Sequence, residues 1–212
     1  LFTVQGYILT LIEGGVNDKL IRDKYLDRAN KGVERLVAIV KDLDMIAKLE
    51  TEGLGINMEV FNIIDLTQNV FDLLEMRSKK RNISLQFDAV YDFPIFVRGD
   101  KERIEQVLIN LIVNSIKYGK TNGSTSVGIE SHNENKFIVK IKDNGEGIKK
   151  EHIPRLFERF YRVDQSRSRE QGGSGLGLSI VKHIVEAHNE KVLLKSTFKK
   201  GSEFSFTMKK VK

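Results

Sequence analysis

The stretch from Asn110 to Tyr118, "NLIVNSIKY", decides how this 212-residue chain is read. It closes a run from Lys101 to Tyr118 in which Ile104, Val107, Leu108, Leu111 and Ile112 recur at helical spacing. Asn110, Asn114, Lys117 and Tyr118 follow about one turn apart and interrupt that apolar face. Asparagine is an indifferent helix former and is expensive to bury without partners. Two of them at i, i+4 therefore mean either caps and buried networks or a ligand. A carboxamide oxygen suits Mg²⁺, a lysine suits phosphate, and a tyrosine offers a stacking surface. The run predicts a helix that carries a ligand site.

Working outward, the chain divides in two. Upstream, "LFTVQGYILT" (Leu1 to Thr10) has Leu1, Val4, Ile8 and Leu11 at the spacing of a helix in mid-course, with no capping residue before it. Gly14 and Gly15 stop that helix, and Asn17 or Asp18 caps the next. In the second helix Leu26, Ala29, Val33, Leu36, Val40, Leu43 and Ala47 form a seam of about three heptads. Two helices bury little, so the hairpin is expected to pair with a second copy as a four-helix bundle. A Gly-containing break at Glu52 to Gly55 separates this region, 1–52, from a second, 53–212.

The second region alternates in type. Met58 to Asn62 reads as a strand and Asp65 to Lys80 as a helix, with Ile83 to Val90 and Phe93 to Val97 extended. After the Lys101 helix, Ser126 to Ser131 and Phe137 to Asp143 form a hairpin around the polar turn His132 to Asn135. A long polar stretch, Gly145 to Gly175, leads to a helix ending near His188, and Lys191 to Phe198 and Glu203 to Met208 close as strands. The whole is α+β: a helical hairpin followed by an α/β sandwich with a mixed sheet. The polar stretch is too long to be a passive connection.

Composition excludes several classes. There is no cysteine, which rules out disulfides and thiolate metal sites, and the four histidines (His132, His152, His183, His188) make no metal-ligand pattern. The net charge of +6 invites a nucleic-acid reading. However, Lys and Arg are interleaved with Asp and Glu, and no basic run with interleaved aromatics occurs. No nucleic-acid partner is expected. Val107 to Ile116, the most apolar stretch, is far short of the ~20 residues a membrane span needs.

Two further stretches carry chemistry. "DNGEG" (Asp143 to Gly147) sits at a strand end, where a carboxylate can accept a hydrogen bond from an exocyclic amine; alone, its Asn-Gly pair reads as a hairpin turn. "QGGSGLGLSI" (Gln171 to Ile180) leads into a helix whose N-terminal amides favour anions. It is no Rossmann fingerprint, since Leu178 stands where the third glycine belongs, and "GKT" at Gly119 to Thr121 lacks the Walker glycine, Asn114 standing there.

In combination and order, the asparagine helix, Asp143-x-Gly145-x-Gly147, the segment "FERFYR" (Phe157 to Arg162) and Gly173-x-Gly175-x-Gly177 resemble the nucleotide-binding domain of sensor histidine kinases. That domain belongs to the wider ATPase fold of type II topoisomerase B subunits, ninety-kilodalton heat-shock chaperones and mismatch-repair MutL proteins. The resemblance spans essentially the whole chain, the hairpin matching the family's dimerisation and phosphoacceptor module. It implies ATP and Mg²⁺ as cofactors, with Asn114 as metal ligand and Asn110 beside it. Lys117 would approach the phosphates or ribose, and Tyr118 would pack near adenine. Asp143 would bind the adenine amine, with Gly145 and Gly147 making room and Ser202 close by. Gly173, Gly175, Leu176 and Gly177 would cradle phosphates, and Arg162 would reach the phosphate tail. Asn110, Lys117 and Arg162 are the expected catalytic set.

The resemblance further implies a response regulator receiver domain as partner and a homodimer through the hairpin. It implies a cytoplasmic location, with membrane attachment only through segments outside this sequence. The family's His-Glu-x-x-x-Pro phosphoacceptor motif is expected immediately upstream of Leu1, because "LFTVQGY" looks like the residues after that proline and none of the four histidines lies in the first helix. Hydrolysing relatives carry Glu where this chain has Asn110, and Asn cannot accept the proton of an attacking water. A hydrolysing ATPase of the same fold and a non-catalytic nucleotide-sensing dimer scaffold are the competing expectations.

Overall fold

The computed structural model describes residues 2–51, 55–163 and 174–211. The predicted boundary at 52/53 and Gly173 lie outside the described residues.

The hairpin pairs α1 (Phe2–Ile12) with the much longer α2 (Lys19–Thr51) through a 3-10 turn, Gly15–Asn17. Of the two predicted caps, Asp18 is the one used: its Oδ1 accepts the N–H groups of Leu20 and Ile21 at 2.8 and 3.1 Å. Tyr7 and Tyr25 meet across the pair with ring centroids 5.5 Å apart, and the Arg28 guanidinium lies over both rings. An 11-residue α1 spans only about 16 Å, so it covers just the start of a 33-residue α2. Within one chain the heptad seam is therefore mostly bare: Ala29 is buried, while Leu26, Val33, Val40 and Leu43 are 41–63% exposed.

The second region is a seven-stranded mixed sheet with helices on one face. Its strands are β1 (Glu59–Asn62), β2 (Ser84–Phe87), β3 (Phe96–Gly99), β4 (Ser124–Asn133), β5 (Lys136–Asp143), β6 (Val192–Thr197) and β7 (Gly201–Lys210). The order is β1-β3-β7-β5-β4-β2, with β6 also on β7; β2–β4 is parallel and the other pairs antiparallel. The helices are α3 (Ile63–Lys79), α4 (Lys101–Tyr118) and α5 (Gly177–Ala187).

The predicted hairpin of strands is present, but the strands run through most of the expected turn, leaving Glu134 and Asn135 as its tip. The extended stretches on either side of residue 91 form only the short β2 and β3. Tyr91 accounts for the gap: its hydroxyl accepts the Ile129 N–H at 2.7 Å and donates to Asp88, holding that segment by a side chain instead of a ladder.

The core lies between the sheet and α3, α4 and α5. Ile104, Val107, Leu108, Leu111 and Ile112 are buried as the periodicity requires. Each contributes about 1.5–3 kcal/mol over an exposed side chain. Asn62 and Asp100 cap α3 and α4 with side-chain oxygens. The start of α4 is also held from outside. Buried His188, at the end of α5, accepts the Asp100 N–H on Nε2 at 2.9 Å while Nδ1–H donates to Ile184 O at 2.7 Å. Both nitrogens are thereby committed, in the neutral tautomer. Replacing His188 with Leu should leave the Asp100 amide unsatisfied and cost about 1–3 kcal/mol. Urea unfolding should show this as a lower midpoint with an unchanged slope.

Candidate functional site

The pleat brings Asp143 and Ser202 to the helix side of the sheet. They are register partners in β5 and β7, on the face that carries Val139, Ile141, Phe204 and Phe206. Asp143 Oδ1 accepts the N–H of Gly145 at 2.8 Å and of Ser202 at 3.3 Å. The first bond is an Asx-turn, so the Asn144-Gly145 pair is not the hairpin turn it resembles in isolation. The second carboxylate oxygen takes no bond from any described residue. Burial raises the Asp143 carboxyl above the usual aspartate range, and the two backbone bonds draw it partway back.

Space around Asp143 is set by absent side chains. A Cβ on Gly145 would lie 2.5 Å from Tyr118 O, and one on Gly147 would lie 2.1 Å from Thr197 O. Gly201 has φ +129°, and a Cβ there would stand 2.1 Å from Asp143 O. Ser196, which the sequence reading missed, completes this corner: its Oγ accepts the Ile148 N–H at 2.8 Å and lies 2.9 Å from Ser202 Oγ. The signal was present as a polar residue on the inward side of β6, after Val192 and Leu194.

The asparagine helix passes over this corner. Ser115 Oγ is in hydrogen-bond contact with Thr125 Oγ1, and Thr125 is the β4 register partner of Asp143. Asn114 is the neighbour of Ser115 and is half-buried. One turn earlier, Asn110 Nδ2 is buried and has no hydrogen-bond partner among the described residues. Its Oδ1 faces α5, 3.3 Å from where a Cβ on Gly177 would be. Tyr118 is half-exposed, its hydroxyl raised by burial and drawn back by the nearby Arg162 charge. Lys117 Nζ lies 5.0 Å from the Tyr118 ring centroid.

The start of α5 differs from the starts of α3 and α4. Leu176 is its N-cap, fully buried, and offers no side-chain hydrogen bond to the helix amides. Such a start leaves N–H groups and the positive end of the helix dipole for a ligand. Gly175 has φ +77°, and a Cβ on it would lie 2.9 Å from the Phe160 backbone. Its carbonyl accepts the Phe160 N–H at 3.0 Å, and Phe160 itself holds φ +62°. This pairing ties "FERFYR" to the glycine run. His152 Nδ1 lies 2.7 Å from the Tyr161 hydroxyl and Arg155 packs over the Tyr161 ring, contacts that no sequence pattern announced. The structure thus brings Tyr118, Asp143, Gly145 and Ser202 together at one corner, with Gly147 against Thr197 and Arg162 beside Tyr118. Asn114 and Lys117 lie on α4 between Tyr118 and Asn110, and Asn110 meets Gly177 at the start of α5, to which Gly175 and Leu176 lead.

Residues 99–212 match the family described as histidine kinase-, DNA gyrase B-, and HSP90-like ATPase. The chain belongs to this family. The chain is 32% identical over 209 residues to the sensor histidine kinase WalK of Bacillus subtilis, covering 98% of the chain and 34% of WalK. The chain therefore spans about a third of that relative's length. Among solved structures it superposes on the Acinetobacter baumannii histidine kinase AdeS with TM-score 0.73 at 27% identity, covering 99% of this chain and 94% of AdeS. It also superposes on histidine kinase ThkA, solved in complex with the response regulator protein TrrA, with TM-score 0.78 at 27% identity, covering 98% of this chain and 57% of ThkA. The α+β fold is shared with AdeS and ThkA, and ATP is the nucleotide of the family. Among the described residues no helix is long and apolar enough to cross a membrane.

The raised Asp143 carboxyl makes a stability prediction that needs no ligand. A folded-state pKa above the unfolded one gives stability that is present below the unfolded value and is lost as pH rises through the folded value. Asp143→Asn keeps an oxygen for the Gly145 and Ser202 amides and removes the charge. It should melt higher than the parent at neutral and alkaline pH, the two curves converging in acid. A gap in melting temperature that is the same at every pH would contradict this.

Proposed function

We propose that this chain is the core of a sensor histidine kinase. In this reading it binds Mg·ATP at the Asp143 corner, transfers the γ-phosphoryl group to a histidine imidazole, and the group passes on to an aspartate of a response regulator. The observation that carries the reading is Asp143 itself: a half-desolvated carboxylate with one oxygen tied to the backbone and the other taking no bond from any described residue. Such a group accepts from an exocyclic amine, which adenine offers and guanine lacks at the corresponding position. The WalK, AdeS and ThkA matches support the histidine as acceptor, and the ThkA–TrrA complex supports the receiver domain.

The roles of the residues follow from their chemistry. Asp143 Oδ2 accepts the adenine amine, Ser202 and Gly145 keep that carboxylate in place, and Tyr118 packs beside the base. The uncapped amides of α5, with Gly173, Gly175 and Gly177 admitting the phosphates, hold the triphosphate with Lys117 and Arg162. Among the described residues no group of three His, Asp or Glu could hold a metal. The donors near α4 therefore suit a metal carried in on phosphate oxygens and completed by Asn114, and the orphaned amide of Asn110 beside it suits the same polar cargo. Bound Mg²⁺ would neutralise charge on the phosphates as the γ-group leaves. Asn110 has no proton affinity with which to activate a water, which favours an imidazole nucleophile over hydrolysis.

The bare seam on α2 supports a homodimer in which two hairpins form a four-helix bundle. The division at 52/53 follows, with 1–52 as dimerisation region and 53–212 as the ATP-binding domain. The acceptor imidazole comes from outside this sequence, since His132, His152, His183 and His188 all lie in the second region. A cytoplasmic placement, with any membrane anchor in other segments, belongs to the same proposal.

Calorimetry should show ATP bound far more tightly than GTP. Asp143→Asn should lose roughly 1.5–3 kcal/mol of that affinity, about tenfold or more. Equal affinity in parent and variant would remove Asp143 from the base site. With γ-labelled ATP and a supplied hairpin bearing an acceptor histidine, the chain should transfer label as an acid-labile, alkali-stable phosphoramidate. Asn114→Ala should abolish transfer and weaken nucleotide binding more with Mg²⁺ than with EDTA. Release of free phosphate in place of transfer would favour the hydrolysing relative.

A further inference from the structure

The last four carbonyls of a helix have no partner within it, and at the end of α4 every one is taken from outside the ladder or by its cap. Ser115 O accepts the Gly119 N–H at 2.8 Å, and Tyr118 O accepts the Glu146 N–H at 3.4 Å. The two between them, Ile116 O and Lys117 O, both accept from one nitrogen, Arg81 Nη1, the first at 3.1 Å. Arg81 is half-buried and stands in the turn between α3 and β2. That turn is itself built to hold it. The N–H groups of Arg81 and Ile83 both donate to Ser78 O, at 3.0 and 3.1 Å, and Asn82 takes the left-handed conformation with φ +52°. Buried Ile83 presses on the same helix end, where a Cβ on Gly119 would come within 2.9 Å of Ile83 Cδ1.

We infer that Arg81 is a positioning residue for the nucleotide site. This rests on the ATP-binding reading above. The guanidinium grips the carbonyls on either side of the Lys117 backbone, so it sets the direction in which Lys117 and Tyr118 leave the helix. Its reach extends further through Tyr118 O, which takes the Glu146 amide and abuts Gly145, 2.5 Å from where a Cβ would be. A displaced last turn would therefore carry the Asp143–Gly147 loop with it. The cation also lies at the negative end of the α4 dipole. An arginine fits two carbonyls with one rigid group; a lysine supplies the charge and rotatable donors without the plane.

The test compares the parent with Arg81→Lys and Arg81→Met, at a temperature where circular dichroism shows each folded. Arg81→Gln stands in where the Met substitution prevents folding. By calorimetry, Arg81→Met should bind ATP roughly tenfold more weakly, the effect of losing about one hydrogen bond's alignment at the site. Arg81→Lys should recover most of the loss. Without nucleotide, the Gly145 and Glu146 amide signals should move in Arg81→Met while that of Phe87 in β2 stays in place. A folded Arg81→Met chain with parental ATP affinity overturns the inference, as does Arg81→Lys performing no better than Arg81→Met. Should the parent itself fail to bind ATP, the nucleotide reading has failed, and the Glu146 amide alone decides whether Arg81 positions the loop.

Discussion

One oxygen of Asp143 takes the amide hydrogens of Gly145 and Ser202, and the corner of the molecule is arranged around that fork. It fastens the end of β5 to the start of β7 and turns the chain away from a hairpin path. Its partners must come close, so Gly145, Gly147 and Gly201 stand where a side chain would collide with backbone. Because both bonds go to the same oxygen, the other takes none from any described residue and keeps its acceptor capacity in a partly desolvated place.

The helix above the fork is fixed on three sides. His188 holds its first turn, Ser115 touches Thr125 beneath it, and Arg81 and Glu146 take the carbonyls of its last turn. These contacts come from α5, β4, the α3–β2 turn and the loop after β5, so most of the domain meets at α4. Rigid support of this kind keeps binding groups within the narrow tolerance that recognition requires. The buried amide of Asn110, without a partner among the described residues, persists on so constrained a helix because no small movement offers it relief.

The sequence carried much of this. The Lys101–Tyr118 helix was legible to the residue, because its five core positions follow the 3.6-residue period and its cap and end are both strong. The proposed site residues stand out in the sequence as polar interruptions of apolar runs and as two glycine-spaced stretches. Less legible were β2 and β3, where Tyr91 holds the backbone with a side chain and no local pattern marks that. Arg81 and His188 were invisible for a related reason. Each acts on a backbone atom distant in sequence, 35 residues away for Arg81 and 88 for His188, and a backbone atom has no residue type to pair with. The Asn144-Gly145 pair misled in the opposite direction: its local preference for a hairpin gave way to the pairing of β5 with β7.

The place of β7 has a consequence for how the molecule comes into being. The β1–β3 pair and the β2–β4–β5 group share no ladder except through β7, which lies between β3 and β5 and also carries β6. Yet β7 follows every other strand in the sequence. As the ribosome extends the chain, the two halves of the sheet emerge with exposed edges and no common seam. Ser202 arrives with the closing strand, so the fork at Asp143 cannot form before it. Closure then pairs Val97 and Arg98 of β3 with Lys210 and Lys209 of β7, contacts of very long sequence separation. Such topologies fold slowly and leave strand edges open to neighbours meanwhile. A nascent chain is thus exposed to chaperones, and to its own kind, until β7 has paired and the Asp143 fork has closed.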